Sequence, residues 1–543
     1  MEQALELQPV GETAHRPTRR SLLVAWALAA GAAATLQLTL GDLNINFADE
    51  GYLWYGVRAV LRGEVPFRDF QAYDPGRYYW CAAFSPIFGS GILGVRAAVA
   101  AFQAVGLAAG LLVARRLFRR DLALVPVAAL LALWMFPRHK LFEPAIALLF
   151  VHGVVRFLER PTPTRSLLLG LLVGLGAFFG RNHGLYGGVA ALAAFGIDAW
   201  TRRGPDLRRN FLALSGGIVA GYLPMLAMLA FVPGFATAFW HALAELATKG
   251  ANIPKPYPWP WRADYSGLHG LELAGEVATT AAFALPVLVV PLAAFLSLRC
   301  ALRARRARTS GDAQHAPLHS RAVLVGSTLV GAIYLHHVSV RSDVPHLGQC
   351  FAPVVLVLLA LARRPLARSL LWSSFAILSA FAILENHTTL RWFSPWRSPT
   401  VVAGKLGDES MRFIRPQAAY LAGLEEDVAA RLGPEDEILI APSRPTLYPL
   451  LGRAAPIHGI YLFWFASDAE QEAILDALEA RKVRFALIVD TAVDDREDLR
   501  FSNTYPRVFA YLLEHYRRVP TPHLRPDHFL FERRSGGRRT GGR

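Results

Sequence analysis

Apolar runs of membrane length recur along this chain from residue 21 to residue 385 and then stop. A hydrocarbon layer about 30 Å thick takes about 20 residues of helix to cross. Within it each backbone polar group must be paired inside its own segment. Repetition of such runs therefore predicts a polytopic α-helical membrane protein. The composition agrees, with 53% of the 543 residues hydrophobic and only 18% charged. Eleven candidate spans are expected, near 21–41, 86–114, 121–136, 141–158, 166–180, 184–200, 211–232, 274–298, 321–338, 350–363 and 369–385. The first follows Arg16, Arg19 and Arg20, and it is longer than the apolar core of a cleaved signal peptide. It is read as an uncleaved helix after a cytoplasmic tail, 1–20.

The formal charge of +15 raises the question of nucleic acid. The positive residues are not gathered on one soluble region. They fall in short clusters between apolar runs, such as Arg115-Arg116, Arg119-Arg120, Arg208-Arg209 and Arg303 to Arg308. That is the distribution of cytoplasmic loops in a membrane protein, and no nucleic-acid partner is expected. Alternate loops carry fewer basic residues over greater lengths. An integral plasma (inner) membrane protein follows, with a cytoplasmic N-terminus and an extracytoplasmic C-terminus. The three cysteines, Cys81, Cys300 and Cys350, give neither a disulfide framework nor a metal spacing.

With that orientation the chemistry-bearing residues gather on the outer face. Asp49 and Glu50 follow the first span directly, in an external loop over 42–85. Two carboxylates beside a membrane are costly unless paired or used. Leu53, Val57, Val60 and Leu61 repeat at helical spacing, and Gly63 is placed as a C-terminal stop. The acids then stand at a helix N-terminus, where the dipole favours negative charge. Capping accounts for one acid at such a place; it accounts less well for two. A carrier is the competing class, and it would concentrate polar sites near the bilayer midplane. The spans here hold little charge, with Arg96 as the clear case.

The run Asp49-Glu50-Gly51-Tyr52, Gly63-Glu64-Val65-Pro66-Phe67-Arg68-Asp69-Phe70 and Asp74-Pro75-Gly76 resembles the first external loop of GT-C glycosyltransferases. More narrowly it resembles bacterial relatives of protein O-mannosyltransferases and of aminoarabinose transferases. The resemblance implies a multi-helix membrane domain over 21–385, followed by an extracytoplasmic domain. It implies transfer of a sugar from a polyprenyl phosphate to a glycan, lipid or protein acceptor at the outer face. Asp49 would be the general base, Glu50 a helper that orients the acceptor or binds a metal, and Asp74 a further substrate contact. Direct displacement of the phosphate would invert the anomeric centre. No nucleotide or nicotinamide cofactor is implied, and no Gly-rich phosphate loop is present. A same-fold transferase acting on a lipid-linked oligosaccharide and a non-enzymatic envelope lipid or glycan transporter are the alternatives.

A lipid phosphate needs cations at the same face. Arg138 and Lys140, Arg181 with His183, Lys249, Lys255 and Arg341 are the candidates, set against ordinary contacts with lipid headgroups. Asp343 and His346 lie in an Asp-x-x-His-Leu turn that the resemblance also carries. A divalent metal is a competing use of His336, His337, Asp343 and His346, although their spacing matches no recognised zinc motif. Tyr257-Pro258-Trp259-Pro260-Trp261 reads as an interfacial anchor or a surface for stacking on a sugar.

Beyond residue 385 acids return and apolar runs shorten. Residues 438–441 and 485–489 read as buried strands, and Ser467-Asp468-Ala469-Glu470 as a capping box. A small α/β domain is expected over 386–532, for acceptor binding or for covering the site. A disordered Arg/Gly tail is expected over 533–543.

Overall fold

The computed structural model describes residues 18–118, 120–201, 206–250, 252–309, 321–361, 365–387, 389–393 and 400–534. Most of the expected N-terminal tail, all but the first two residues of the expected basic tail, and several loop arginines (Arg119, Arg202, Arg203, Arg363, Arg364) lie outside the described residues. The chain divides into two compact units. One is Met1–Leu40, Val99–Ala230 and Asn252–Ser398; the other is Gly41–Ala98, Phe231–Ala251 and Pro399–Arg543.

The first unit is helical. Each expected span overlaps a helix, and among the described residues eight helices are long and apolar enough to cross a membrane. These are Arg19–Leu40, Ile92–Ala114, Arg138–Glu159, Leu207–Phe231, Gly270–Ala307, Ala322–Val340, Val344–Leu361 and Ser369–Asn386. These eight do not confirm the expected count of eleven. Asp121–Trp134 and Pro163–Phe179 are apolar but shorter. At about 1.5 Å per residue they fall below a thickness of about 30 Å. Helix Arg181–Thr201 opens on Arg181, Asn182 and His183, which lowers its apolar character. The chain is an integral, mostly helical membrane protein.

Close packing in this unit uses small residues. Helices Pro163–Phe179 and Leu207–Phe231 meet through Gly170 and Gly174 on one side and Gly217 and Gly221 on the other. A methyl group on Gly217 would lie 2.2 Å from the Leu167 carbonyl oxygen, and one on Gly174 would lie 2.2 Å from that of Ile218. Both pairs have four-residue spacing, the small-xxx-small arrangement by which helices approach in lipid. The start of Pro163–Phe179 is fixed by Thr162, whose hydroxyl accepts from the Arg165 N–H, with Pro163 in the first turn.

The second unit joins a loop that follows the first span to the C-terminal domain. Strands β1 (Val401–Leu406) and β2 (Glu409–Ile414) form an antiparallel hairpin. Residues 42–46 run beside β2. Asn44 N–H donates to the Arg412 carbonyl (2.7 Å) and Arg412 N–H to that of Asp42 (2.9 Å). The Asn44 side chain accepts from Ile414 N–H (2.8 Å). A four-stranded sheet follows, from β3 (Ile438–Ala441), β4 (Phe485–Val489), β5 (Tyr516–Val519) and β6 (His528–Arg533), in the order β3-β4-β6-β5. β3 and β4 are parallel, connected through helix Asp468–Ala480; the other pairings are antiparallel. Ser467 and Glu470 cap that helix reciprocally, as the sequence predicts. Leu439, Ala441, Leu478, Ala486, Ile488, Val508, Leu512 and Phe531 form its core.

Candidate active site

Helix Asp49–Leu61 carries the acidic pair. Its first turn is held by Asn46, whose Oδ1 accepts from the N–H groups of Ala48 and Asp49, both at 3.0 Å. Asn46, not Asp49, is therefore the side chain that satisfies this helix start. The helix ends at Leu61, and Gly63 follows with a φ of +91°, a conformation open to glycine at little cost. Two other glycines allow close approach along its length. A methyl on Gly51 would lie 2.2 Å from the backbone nitrogen of Thr446, and one on Gly56 would lie 2.2 Å from the Tyr78 ring.

The two neighbouring acids have different surroundings. Glu50 is buried, with 4% of its surface exposed. Arg96 Nε donates to its Oε1 and Arg96 Nη2 to its Oε2, both at 2.9 Å. The Asn46 N–H donates to Oε2 as well, at 2.9 Å. Arg96 also donates to the carbonyls of Gly41 and Asn44, both at 2.6 Å. The Glu50 carboxylate thus ties the loop 41–46 to the start of helix Ile92–Ala114. Arg96 is the fifth residue of that helix, near its end rather than its middle.

Asp49 is half-buried. Its Oδ1 accepts from the Tyr461 hydroxyl at 3.1 Å, and its Oδ2 from Asn46 Nδ2 at 3.3 Å. Burial, and then the Asp49 charge, push the Tyr461 phenol well above its usual range. It is a protonated donor at any working pH. Tyr461 packs on Tyr52 (4.5 Å between ring centroids) and on Phe463 (4.8 Å), and Tyr52 packs on Tyr73 (4.6 Å). The Arg77 guanidinium sits over Tyr73 at 4.7 Å. Asp74 is buried just ahead of helix Gly76–Phe88.

Lys249 belongs to this second unit. It lies at the end of helix Phe235–Lys249, bridging Glu245 (3.1 Å) and Glu470. Burial works against its charge, but these two carboxylates hold the ammonium above its usual range. Its positive charge is balanced inside the protein.

The remaining candidates belong to the first unit. Arg138 Nη1 donates to the Leu40 carbonyl (2.9 Å), at the C-terminal end of helix Arg19–Leu40, where cations are favoured. Lys140 follows in the same turn and lies within electrostatic reach of His346. Asp343 joins two other candidates. Arg341 Nε reaches its Oδ2 and His346 Nδ1 its Oδ1, both at 2.5 Å. The His346 N–H also donates to Oδ1 (3.1 Å), so Asp343 stands at the start of helix Val344–Leu361. Burial alone would raise the Asp343 pKa. Hydrogen bonding and charge from His346, and then from Arg341, instead hold it well below the usual carboxylate range. Such a contact fixes the ring of His346 through Nδ1.

Arg181 begins helix Arg181–Thr201. His183 is fully buried, with Nδ1 paired to the Tyr334 hydroxyl at 2.9 Å. Tyr186 pairs with His336 Nδ1 at 2.6 Å. Trp259 and Trp261 are stacked at 4.9 Å, with Trp261 74% exposed. Among the described residues no group of three or more His, Cys, Asp or Glu side chains is arranged to hold a metal ion.

No protein-family model matches the chain, and no curated protein matches it either. Solved structures do resemble it. ArnT from Cupriavidus metallidurans in the apo state matches with a TM-score of 0.47 at 12% identity, over 94% of this chain and 98% of that one. The same protein bound to undecaprenyl phosphate gives 0.47 at 13% identity, over 95% and 98%. The Archaeoglobus fulgidus oligosaccharyltransferase in its apo form gives 0.36 at 12% identity, over 87% and 70%.

Tyr461, Asn46 and the Glu50 partner Arg96 are the residues that the sequence does not mark as a set. Arg96 carried a usable sign, since a lone arginine in an apolar run calls for an acid partner. Tyr461 lies 412 residues from Asp49 and carried none.

Proposed function

We propose that this chain is a membrane glycosyltransferase of the GT-C type. It takes a sugar from a polyprenyl-phosphate donor and passes it to a glycan, lipid or protein acceptor at the outer face of the membrane. One observation carries the reading. Of two adjacent acids just after the first long apolar helix, Glu50 is buried in an ion pair with Arg96, whereas Asp49 is half-buried and accepts from the Tyr461 hydroxyl and the Asn46 side chain. Sequence neighbours with such different surroundings divide structural and chemical work.

In this reaction Asp49 is the general base. The acceptor O–H or N–H bond breaks and its proton passes to the Asp49 carboxylate. The acceptor's electron pair forms a bond to the anomeric carbon. The bond from that carbon to the phosphate oxygen breaks, and its electrons leave with the lipid phosphate. Attack opposite the leaving phosphate inverts the centre. Glu50 shapes the loop that presents Asp49. Arg138, Lys140, Arg181 and Arg341 are the cations offered for the phosphate. Asp343 and His346 are the other polar contacts offered for the substrate. The loop-charge pattern supports a cytoplasmic N-terminus and an extracytoplasmic C-terminal domain.

The test uses purified protein, a panel of polyprenyl-phosphate sugars and release of lipid phosphate as the readout. Asp49→Asn is expected to lower release by at least about 100-fold, with expression and thermal midpoint unchanged. Full release by that variant sinks the mechanism.

A further inference from the structure

The C-terminal domain supplies the phenol that touches Asp49. We infer that Tyr461 is the positioning residue for the Asp49 carboxylate, so the C-terminal domain takes part in the transfer step rather than only covering it. The inference rests on Asp49 being the base.

Four features of the geometry carry it. The Tyr461 hydroxyl donates to Asp49 Oδ1 at 3.1 Å. Its ring is held on two sides, by Tyr52 and by Phe463. Its backbone is fixed as well, because Tyr461 N–H (2.8 Å) and Ile460 N–H (3.0 Å) both donate to Gln71 Oε1. Gln71 N–H in turn donates to the His458 carbonyl at 2.9 Å, and His458 Nε2 meets the Phe67 carbonyl at 2.8 Å.

The segment 458–461 is therefore fastened to the loop 67–71 before the phenol reaches the acid. A tyrosine has two side-chain torsions, and both are constrained here by packing. A hydrogen bond from a fixed phenol restricts the carboxylate it meets, and small misplacements of a catalytic group cost large factors in rate. Phenylalanine would keep the ring contacts, so the hydroxyl is the part that acts on Asp49.

During transfer the phenol keeps its own proton. The proton from the acceptor ends on the Asp49 carboxyl, and Tyr461 remains its hydrogen-bond donor before and after. A donor to a carboxylate favours the charged form, and removing it makes the group harder to ionise.

The experiment compares Tyr461→Phe and Asp49→Asn with the wild-type full chain, using polyprenyl-phosphate sugars and lipid-phosphate release across pH. Tyr461→Phe is expected to lower kcat about tenfold, the equivalent of one lost hydrogen bond to a charged group. KM for the donor should hold, and the acid limb of the pH profile should move to higher pH. Its thermal midpoint should match wild type, which separates positioning from folding. A wild-type kcat and pH profile in Tyr461→Phe, with Asp49→Asn inactive, overturns the role of Tyr461 and leaves the base in place. Activity in Asp49→Asn overturns the base, and the role of Tyr461 with it.

Discussion

Glu50 and Arg96 meet in a two-point ion pair, Nε to Oε1 and Nη2 to Oε2, each at 2.9 Å, with both side chains buried. The pair accounts for the double acid Asp49-Glu50 better than a shared chemical role does. An arginine that also serves the carbonyls of Gly41 and Asn44 needs a charged partner to stay buried. Adjacent positions on one helix turn point to different sides, which lets one acid face inward while the next does not.

Glu50→Gln is accordingly expected to destabilise the protein by about 3 kcal/mol, the cost of leaving a buried charge without its counter-ion. The measurement is thermal unfolding in detergent. Asp49→Asn serves as the reference, because it should lose transfer without losing stability. A Glu50→Gln variant that melts with wild type removes the structural role assigned to Glu50.

Gly217 faces the backbone of helix Pro163–Phe179, with the Leu167 carbonyl 2.2 Å from where its Cβ would be. Backbone atoms give way far less readily than a side-chain end. Gly217→Leu should force the helices apart at a cost of about 1–3 kcal/mol or more. Gly216, one residue earlier, has open space at the same position, and Gly216→Leu is the matched control. Equal melting of the two variants would remove the close contact as a source of stability.

The parts of the fold visible in the sequence are those with local causes. The strands at 438–441 and 485–489, the Ser467 capping box and the stop at Gly63 each depend on residues within a few positions. The same holds for the helix at Asp49, although its cap comes from Asn46. Span number was less legible, because a short apolar helix and a spanning one share a composition and differ only in length. Partnerships across hundreds of residues were not legible at all. No feature near Lys249 in the sequence points to Glu470, and Tyr461 has no local feature that points to Asp49.

Lys249 offers a test by its pH behaviour. Its pKa is raised in the folded protein, so its contribution to stability is present below the unfolded value of about 10.4 and lost as pH rises through the folded value. The Glu470 pKa is lowered despite burial, through Lys249 first and then Ser467. Its contribution is present above about 4.3 and lost as pH falls through the folded value. Between pH 5 and pH 9, roughly, the bridge is fully charged. Lys249→Met should therefore lower the thermal midpoint by a constant amount over that window, with lipid-phosphate release within about threefold of wild type. A donor KM raised about 100-fold in that variant, the size expected for a lost phosphate contact, would make Lys249 a ligand after all.

The last prediction concerns which face carries Asp49, since every role proposed for it requires the outer one. Cys81, Cys300 and Cys350 are all free and buried, so an introduced surface cysteine is the group that a membrane-impermeant maleimide will find first. Glu435 is exposed in the C-terminal domain, and Arg208 is exposed in the first turn of helix Leu207–Phe231. Loop charges read over the eleven expected spans assign Glu435 to the outside and Arg208 to the cytoplasm. In intact cells Glu435→Cys should label and Arg208→Cys should not, until the membrane is permeabilised. The reverse pattern would turn Asp49 to the cytoplasm, because Tyr461 of the same C-terminal domain donates to it. A base on that side would meet acceptors made inside the cell, and transfer at the outer face would fail together with the assigned orientation.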